Sequence, residues 1–381
     1  MSLTNLLRNA LGLAKTSASR TSTSRRPSLE GLEARALLTA APLIPTGHAP
    51  LGLTRGDFNG DGRQDLAVAN ANDNTINVSL GLGTGSFRAP LRLAAGKGPM
   101  GLKTADFNGD GRLDLAVNNT NDNTVGLLLG NGNGTFRPQR VTGVGSHPYG
   151  LTVADFNRDG RLDVATANLS GNSVSVLLGN GNGTFRAQPT ISVGTAPYFL
   201  AAGDVNRDGR PDLVVPNYGS DNVSVMLGNG NGTFRAARTF ATGRAPVNVR
   251  IADLNGDGRP DLVVTNWAGK SVSVLPGNDD GTFRAQMTAG VGQAPGDVAV
   301  ADFNRDGILD LAVSNHDSNS VTVLLGNGNG TFRLRQTLAA GRGAYQVVVG
   351  DFNGDRLLDL AVASYSDNNI HLYLGKGDGS F

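Results

Sequence analysis

The sequence predicts an all-β fold, a seven-bladed β-propeller of four-stranded antiparallel blades. The prediction depends on a segment that recurs seven times at a constant interval and on short runs of β-forming residues between glycine-rich turns. The repeated region also lacks any long stretch with the 3.6-residue period of a helix. With 381 residues and 39% hydrophobic residues, the chain can bury a packed core.

The repeated segment opens with an aspartate, and each copy begins 49 residues after the previous one with no loss of register. A unit of about this length, made of short strands and turns, is typical of one propeller blade. Seven copies therefore predict seven blades. Their opening aspartates are Asp57, Asp106, Asp155, Asp204, Asp253, Asp302 and Asp351.

The second copy shows how one blade is built. Four runs rich in β-formers, at residues 101–107, 114–119, 124–129 and 136–141, predict its four strands. The loop NGDGRL, the turn TNDN and the turn GNGNGT separate these runs. Each copy is thus expected to form one antiparallel sheet.

The ends of the repeat array predict how the ring closes. The seventh copy stops at Phe381, where a fourth strand would begin, while residues 38–46 precede the first copy at that strand's position. We expect residues 38–46 to supply the outer strand of the last blade, because closure removes exposed strand edges. The predicted domains are a propeller at 38–381 and a disordered basic segment for export or targeting at 1–37.

The charge balance excludes several classes of partner. The formal net charge is +1, and the basic residues are spread over all seven copies, so nothing favours nucleic-acid binding. The apolar stretch LLRNALGLA in residues 1–25 is too short to span a membrane. Since the chain has no Cys, disulfides do not stabilise it. We expect a monomer that neither binds nucleic acid nor inserts into a membrane.

Aspartate dominates the acidic residues, since Glu30 and Glu33 are the only glutamates. Every copy carries the pattern Asp-x-Asn-x-Asp-Gly-x-x-Asp. Side-chain oxygens at positions 1, 3, 5 and 9 and a backbone carbonyl at position 7 can surround a hard cation, while Gly at position 6 permits the sharp turn. The predicted cofactor is Ca²⁺, up to seven ions with one per repeat.

The predicted calcium ligands comprise positions 1, 3, 5, 7 and 9 of each loop. They are Asp57, Asn59, Asp61, Arg63, Asp65, Asp106, Asn108, Asp110, Arg112, Asp114, Asp155, Asn157, Asp159, Arg161, Asp163, Asp204, Asn206, Asp208, Arg210, Asp212, Asp253, Asn255, Asp257, Arg259, Asp261, Asp302, Asn304, Asp306, Ile308, Asp310, Asp351, Asn353, Asp355, Leu357 and Asp359.

The same pattern has a plainer interpretation, because strings of Asp, Asn and Gly form turns in most proteins. Seven copies with the ligand spacing intact favour the metal loops over plain turns. The seventh loop is the least suited to an ion, since it has Arg356 where the other six have Gly.

The repeats resemble a known family. Asp-Phe-Asn-Gly-Asp-Gly-Arg-x-Asp-Leu-Ala-Val followed by Leu-Leu-Gly-Asn-Gly-Asn-Gly-Thr-Phe is similar to the FG-GAP or VCBS-type repeats of bacterial secreted proteins, which are related to the propeller of integrin alpha subunits. The resemblance covers residues 45–381. It implies propeller blades with calcium between the first and second strands, and a role in adhesion, carbohydrate binding or scaffolding.

The N-terminal segment shows a second resemblance. Residues 26–38, RPSLEGLEARALL, are similar to a Leu-Glu-x-Arg-x-Leu-Leu motif near the start of many planctomycete exported proteins. This resemblance implies a secreted or cell-surface protein. The alternative is a disordered basic tail on a cytosolic protein.

Strand order predicts where a ligand would bind. In a four-stranded blade the 1–2 and 3–4 loops share one face, so the metal loops lie opposite the 2–3 and blade-to-blade loops. Residues at the opposite face vary between copies, and aromatic side chains beside polar ones suit a sugar ring or a protein partner. The predicted ligand-binding face comprises Tyr149, Tyr198, Tyr218, Arg244, Trp267, His316, Arg342, Tyr345 and Tyr365. The alternative is that Tyr149, Tyr198 and Tyr345 only plug the central channel and Trp267 packs between blades.

These features predict a non-enzymatic adhesion module for an extracellular glycan or protein. A polysaccharide lyase or glycosidase on the same fold is the alternative, and a scaffold without small-molecule binding is a third possibility. Catalysis would need a paired acid and base on the open face. The repeats contain no Glu and no Cys, and Asp297, expected near Arg244, is the only isolated acid there.

Overall fold

The computed structural model describes residues 43–381, which form the seven sheets of a β-propeller. Six sheets have four antiparallel strands, and the third has five because its outer strand is interrupted. These described residues belong to one compact unit. The predicted fold is confirmed, while the predicted segment 1–37 and residues 38–42 lie outside the described residues.

The first strand of each blade contacts the first strands of the blades on either side, so these strands surround a central channel. The strands up to the end of the third blade are β1 (Leu43–Pro45), β2 (Pro50–Gly56), β3 (Asp65–Asn70), β4 (Thr75–Ser79), β5 (Leu91–Ala94), β6 (Pro99–Ala105), β7 (Asp114–Asn119), β8 (Thr124–Leu128), β9 (Arg140–Gly143), β10 (Pro148–Ala154), β11 (Asp163–Asn168), β12 (Ser173–Gly179), β13 (Phe185–Ala187) and β14 (Ile191–Ser192).

The remaining four blades repeat this order. Their strands are β15 (Ala201–Gly203), β16 (Asp212–Asn217), β17 (Asn222–Met226), β18 (Arg238–Ala241), β19 (Pro246–Ala252), β20 (Asp261–Asn266), β21 (Ser271–Leu275), β22 (Met287–Gly290), β23 (Pro295–Ala301), β24 (Asp310–Asn315), β25 (Ser320–Gly326), β26 (Phe332–Ala339), β27 (Ala344–Gly350), β28 (Asp359–Ser364) and β29 (Asn369–Tyr373).

The outer strand lies further along the chain than predicted. In the second blade it was expected at 136–141, but β9 begins at Arg140, and Phe136 forms only an isolated bridge with Gly130. Pro138 lies between them and has no N–H to donate to a ladder. Pro189 in the third blade stands in the same way between β13 and β14. The expected first strand, 101–107, is also displaced, because β6 begins two residues earlier, at Pro99.

The apolar core lies between neighbouring blades. Each of seven buried clusters combines side chains of two adjacent sheets, as Ile76 and Val78 of the first blade pack with Leu115 and Val117 of the second. The second and third strands of the first blade are buried along their whole length. A single blade would therefore expose two apolar faces, and only the ring covers them all.

The ring is closed as predicted by a strand from the N-terminal side. β1 pairs antiparallel with β29, with Ile44 opposite Ile370, and completes the last blade. Further hydrogen bonds join the first and last blades, among them those from Gly85 N–H to the Phe352 carbonyl at 3.0 Å and from Ala49 N–H to Asn368 Oδ1 at 3.0 Å. Within the segment 38–46 that was predicted to supply this strand, residues 43–45 form it.

The bond from Ala49 to Asn368 is one of a series that joins each blade to the next. A residue with positive φ in the 2–3 turn accepts, through its side-chain oxygen, a backbone N–H of the following blade. Six of the seven junctions of the described ring have this bond. The donor and acceptor pairs are Gly98–Asn74, His147–Asn123, Ala196–Asn172, Ala245–Asp221, Gly343–Asn319 and Ala49–Asn368.

The seventh junction has Lys270 in the equivalent place, at φ 51°, and a lysine side chain has no oxygen to accept the N–H of Ala294. We predict that Lys270→Asn raises the free energy of unfolding by about 1 kcal/mol, since it adds the missing hydrogen bond and Asn tolerates positive φ better than Lys. Urea denaturation measures the change. The reverse substitution at a bonded junction, Asn172→Lys, is the matched control and should lower stability; an unchanged or less stable Lys270→Asn protein would contradict the prediction.

Candidate functional site

The loop between the first and second strands folds around its first aspartate. In the second blade, Asp106 Oδ1 accepts the N–H groups of Gly109 at 2.7 Å and Asp110 at 3.2 Å, and its Oδ2 accepts that of Gly111 at 2.8 Å. Asn108 Oδ1 accepts the Asp110 N–H at 3.0 Å. Positions 1 and 3 therefore direct their oxygens to the inside of the loop.

The aspartate at position 9 has a different environment. Asp114 is fully buried, and its Oδ2 accepts the Phe107 N–H at 2.9 Å while its Oδ1 accepts the Gly130 N–H at 2.8 Å. All seven copies make the same two bonds. Position 9 thus joins the loop, the second strand and the turn after the third strand.

Charge accumulates where these carboxylates meet. Burial raises the pKa of Asp65, and of its counterparts Asp163 and Asp212, to about 6, although the two backbone N–H groups act to lower it. The carboxylates of Asp61 and Asp57 raise the pKa of Asp65 further. Each loop therefore holds three carboxylates that repel one another, an arrangement that a bound cation would relieve.

The loops provide calcium-type donors without a preformed cluster of acids. Within residues 43–381 no three acidic or histidine side chains converge on one point, because position 9 faces two backbone amides. The remaining donors are carboxylate, amide and carbonyl oxygens, the ligands that Ca²⁺ prefers. The position-7 arginine leans toward the position-5 aspartate, with Arg161 Nη1 3.7 Å from Asp159 Oδ2. The residues fit a hard cation in donor type.

The last loop keeps the shape of the others despite its Arg at position 6. Arg356 has φ 66°, and its N–H donates to Asp351 Oδ2 at 2.9 Å, as Gly111 donates to Asp106 in the second blade. The backbone of Arg356 is strained, because an L side chain disfavours this conformation.

The 3–4 turns lie on the same face as these loops, as predicted. Gly134 N–H donates to the Phe58 carbonyl of the preceding blade at 2.8 Å, and the Phe58 and Phe136 rings meet edge-on at 5.6 Å. The Phe of the loop and the Phe that follows the turn thus bind neighbouring blades together.

The opposite face is formed by the 2–3 loops and the segments between blades. Lys97 N–H donates to Asp122 Oδ2 at 2.7 Å. Arg342 donates both its N–H, at 2.6 Å, and its Nε, at 2.7 Å, to Asp367. Arg342 and Arg244 are exposed on this face. The prediction that the 2–3 loops and the segments between blades share one face is confirmed.

Three of the predicted ligand-face tyrosines close the central channel at this face. Tyr198 Oη donates to Tyr149 Oη at 2.8 Å, and Tyr345 Oη donates to Tyr198 Oη at 3.2 Å. They pack against the buried Leu51, Met100 and Phe199, and Tyr345 is only 5% exposed. Burial raises the pKa of all three, so their hydroxyl groups stay protonated. The alternative interpretation, in which tyrosines plug the central channel, therefore applies to Tyr149, Tyr198 and Tyr345.

The other four aromatic residues form what we call the aromatic surface, defined by Tyr218, Trp267, His316 and Tyr365. Tyr218 is 39% exposed, and the other three are partly buried. The His316 ring lies 5.2 Å from Trp267 and 6.2 Å from Tyr365. His316 Nδ1 is 2.7 Å from Asp317 Oδ1, an acid that the sequence prediction missed although it directly follows His316.

The predicted neighbourhood of Asp297 and Arg244 is wrong. Asp297 is 2% exposed and lies in the channel, where its Oδ1 accepts from Arg250 Nη2 at 2.8 Å and from Asn248 Nδ2 at 2.8 Å. Alternate residues of the first strand point into the channel, which brings positions 248, 250 and 297 together. Lys103 lines the same cavity and was also missed.

A sequence signal for these channel residues does exist. The third residue before each loop is apolar or Thr in five copies and basic in two. These residues are Thr54, Lys103, Thr152, Ala201, Arg250, Ala299 and Val348.

Comparison with known proteins identifies the family. The profile of the FG-GAP-like repeat matches six overlapping stretches, at residues 57–117, 108–166, 160–215, 204–264, 253–313 and 302–362. The chain belongs to the FG-GAP-like repeat family. A search of curated protein sequences found no match.

Solved structures share the fold of this FG-GAP-like repeat protein at low identity. A 6-phosphogluconolactonase candidate from Bacteroides fragilis has a TM-score of 0.63 at 19% identity, over 87% of this chain and 92% of that one. A catalytically inactive virginiamycin B lyase from Staphylococcus aureus, solved with quinupristin, has a TM-score of 0.58 at 15% identity, over 87% and 98%. BBS1N, solved in complex with ARL6DN, has a TM-score of 0.60 at 13% identity, over 89% and 98%.

We predict that Arg356→Gly stabilises the FG-GAP-like propeller by about 1 kcal/mol in excess chelator, because Gly adopts φ 66° without strain. Denaturant unfolding measures the gain. The reverse change, Gly258→Arg, is the control; a Cβ at Gly258 would meet nothing within 4 Å, so only backbone strain at φ 78° acts there. Loss of stability in Arg356→Gly would show that the Arg356 side chain makes a stabilising contact.

Proposed function

We propose that this FG-GAP-like repeat protein is an extracellular binding module, in which calcium stabilises the ring and the aromatic surface binds a glycan or a protein. The observation that carries the proposal is the separation of two kinds of residue. The seven acidic loops repeat almost unchanged on one face, whereas the opposite face carries residues that differ from blade to blade. Repetition suits a structural role, and variation suits recognition of a specific partner.

Calcium is supported by the electrostatics of the loops. Each loop places three carboxylates in mutual repulsion, and no basic side chain reaches Asp114 at position 9 of its loop. The exposed Arg112 is 4.0 Å from Asp110, and an exposed ion pair of this kind offsets little of the repulsion between the carboxylates. A loop that binds Ca²⁺ with a dissociation constant of about 10 µM would gain ~2.7 kcal/mol at about 1 mM calcium.

Removal of calcium is therefore expected to lower the unfolding temperature strongly, and native mass spectrometry should count up to seven ions. Asp110→Ala should lower the count by one, since it removes the position-5 ligand of one loop. Asp317→Ala deletes an equally charged, 56% exposed residue on the opposite face and should leave the count unchanged. A protein that binds no calcium and is indifferent to chelator would refute the metal role.

An extracellular location is supported by the same loops, because sites of moderate affinity fill in millimolar calcium. The export-like motif at residues 26–38 supports it too, although that motif lies outside the described residues. Among the described residues, no helix has the length and apolar character of a membrane span.

Ligand recognition is supported by the composition of the aromatic surface. Trp267, His316 and Tyr365 form a continuous row of rings, and Tyr218 adds an exposed ring beside Tyr198 at 5.7 Å. Arg342, held by Asp367, and the exposed Arg244 provide hydrogen-bond donors at the same face. Rings beside such donors suit sugars and protein anchors.

We predict that Trp267→Ala weakens binding to a glycan array about tenfold or more, as expected for an aromatic anchor. Tyr218→Ala, which alters an exposed ring outside the channel plug, should weaken it as well. Leu334→Ala on β26 removes a 64% exposed apolar side chain away from this surface and should bind normally. Equal binding by all three variants, or none by the unmodified protein, would argue against a glycan ligand.

A polysaccharide-active enzyme is the second candidate, and one observation favours it. The 2.7 Å contact between His316 Nδ1 and Asp317 Oδ1 orients an imidazole beside Trp267, as a general base requires. If this candidate holds, glycans that bind the array should be cleaved by the protein and left intact by His316→Ala. Binding without cleavage supports the binding module.

A further inference from the structure

The central channel contains a charged cavity that the proposed function does not use. The cavity measures about 460 Å³ and is lined by inner-strand residues near the metal-loop face. Its other end is closed by the cluster that includes Leu51, Met100 and Tyr345. The cavity is thus separated from the aromatic surface.

The charges in the cavity do not balance. Its lining includes Arg55, Lys103 and Arg250 but a single acid, Asp297. Asp297 Oδ1 binds Arg250 Nη2 at 2.8 Å, so that pair is neutral. Arg55 is exposed toward the metal-loop face, where its Nη1 donates to Gln64. Lys103 is the remaining cation inside.

Lys103 has no partner of its own. Within residues 43–381 its ammonium makes no hydrogen bond or ion pair, although it is only partly exposed and faces Arg250 across the cavity. Burial and Arg250 together lower the pKa of Lys103 to about 8, while Asp297 acts to raise it. The lysine is therefore protonated near neutral pH in surroundings that disfavour its charge.

Arg250 is held in a fixed orientation and still has capacity to bind. Three of its hydrogen bonds go to protein oxygens, from Nη1 to Asn248 Oδ1 at 3.0 Å and to the Val249 carbonyl at 3.4 Å, and from Nη2 to Asp297 Oδ1 at 2.8 Å. A guanidinium carries five N–H groups, so two remain free to donate. Asp297 in turn is fixed by Asn248 and by the N–H of Val347.

We propose that this cavity is a binding site for a small oxyanion group, held between the Lys103 ammonium and the free N–H groups of Arg250. A carboxylate, sulfate or phosphate provides the charge that Lys103 lacks and accepts hydrogen bonds from both residues. The volume accommodates such a group together with the small molecule that carries it. Entry is from the metal-loop face, since the other end is closed.

The test measures binding of sodium sulfate, methyl phosphate and glucuronate to the calcium-loaded full chain by calorimetry, against sodium chloride at equal ionic strength. At least one of the three oxyanions should bind, and which one binds identifies the group. In Lys103→Thr its affinity should fall roughly tenfold or more, the loss expected for a charge-assisted hydrogen bond. Thr is the native residue at the equivalent positions 54 and 152, so the blade is expected to tolerate it.

Lys97→Thr is the matched control, because it removes the same charge from an exposed site on the opposite face. It should bind the oxyanion like the unmodified protein. If Lys103→Thr does not fold, Lys103→Met keeps the apolar stem and repeats the measurement. Failure of all three oxyanions to bind, or equal binding by the Lys103 and Lys97 variants, overturns the proposal.

This inference is independent of the aromatic surface. Trp267→Ala should leave oxyanion affinity unchanged, and Lys103→Thr should leave glycan binding unchanged. A failed glycan array therefore says nothing about the cavity, and a failed calorimetric titration says nothing about the aromatic surface.

Discussion

The buried carboxylate at position 9 is the interaction on which the rest of the ring depends. A carboxylate without solvent is stable only if its oxygens are hydrogen-bonded, and here two backbone N–H groups from separate parts of the blade supply those bonds. Asp163 thereby fixes the loop at Phe156, its own strand and the turn at Gly179 in one arrangement. Seven identical arrangements give seven blades of the same shape, which a closed ring requires.

The fixed loop also determines how blades meet. With its main chain held by Asp163, the Phe156 ring packs edge-on against Phe234 of the next blade at 5.5 Å, and the Phe156 carbonyl accepts the Gly232 N–H at 3.0 Å. Aspartate, phenylalanine and glycine of the repeat thus act together: one orients the loop, and the other two attach it to its neighbour. The repeat motif is therefore explained by contacts within and between blades before any ion is considered.

Much of the architecture could be predicted from the sequence, because the 49-residue period leaves few alternatives. The period gave the blade number, and the position of residues 38–46 gave the closing strand. The outer strand was misplaced because β-forming residues extend beyond the residues that pair, so that β9 begins only at Arg140. The repeat period predicts the features that all blades share. It does not predict at which residue the hydrogen bonds of an outer strand begin.

The candidate site was harder to predict, since its residues are those that break the period. Side chains from different blades meet only in the ring, so the partner of Asp297 could not be read from the chain, and Arg250 was missed for the same reason. Strand order alone was sufficient to predict which face carries Trp267 and His316. The sequence could not show which tyrosines of this face close the channel. That depends on contacts between hydroxyl groups of different blades, such as that of Tyr198 with Tyr149, which only the folded structure reveals.

The strand β1 has a consequence for how the molecule comes apart. An open array of repeats frays from its two terminal units, because each of those lacks a neighbour on one side. Pairing of β1 with β29 leaves no terminal unit, and the bond between Ala49 and Asn368 joins residues 319 positions apart. The chain entropy lost on joining such distant residues grows only with the logarithm of their separation. Opening therefore has to break a junction between two complete blades, so the ring should unfold as one unit instead of blade by blade from an end.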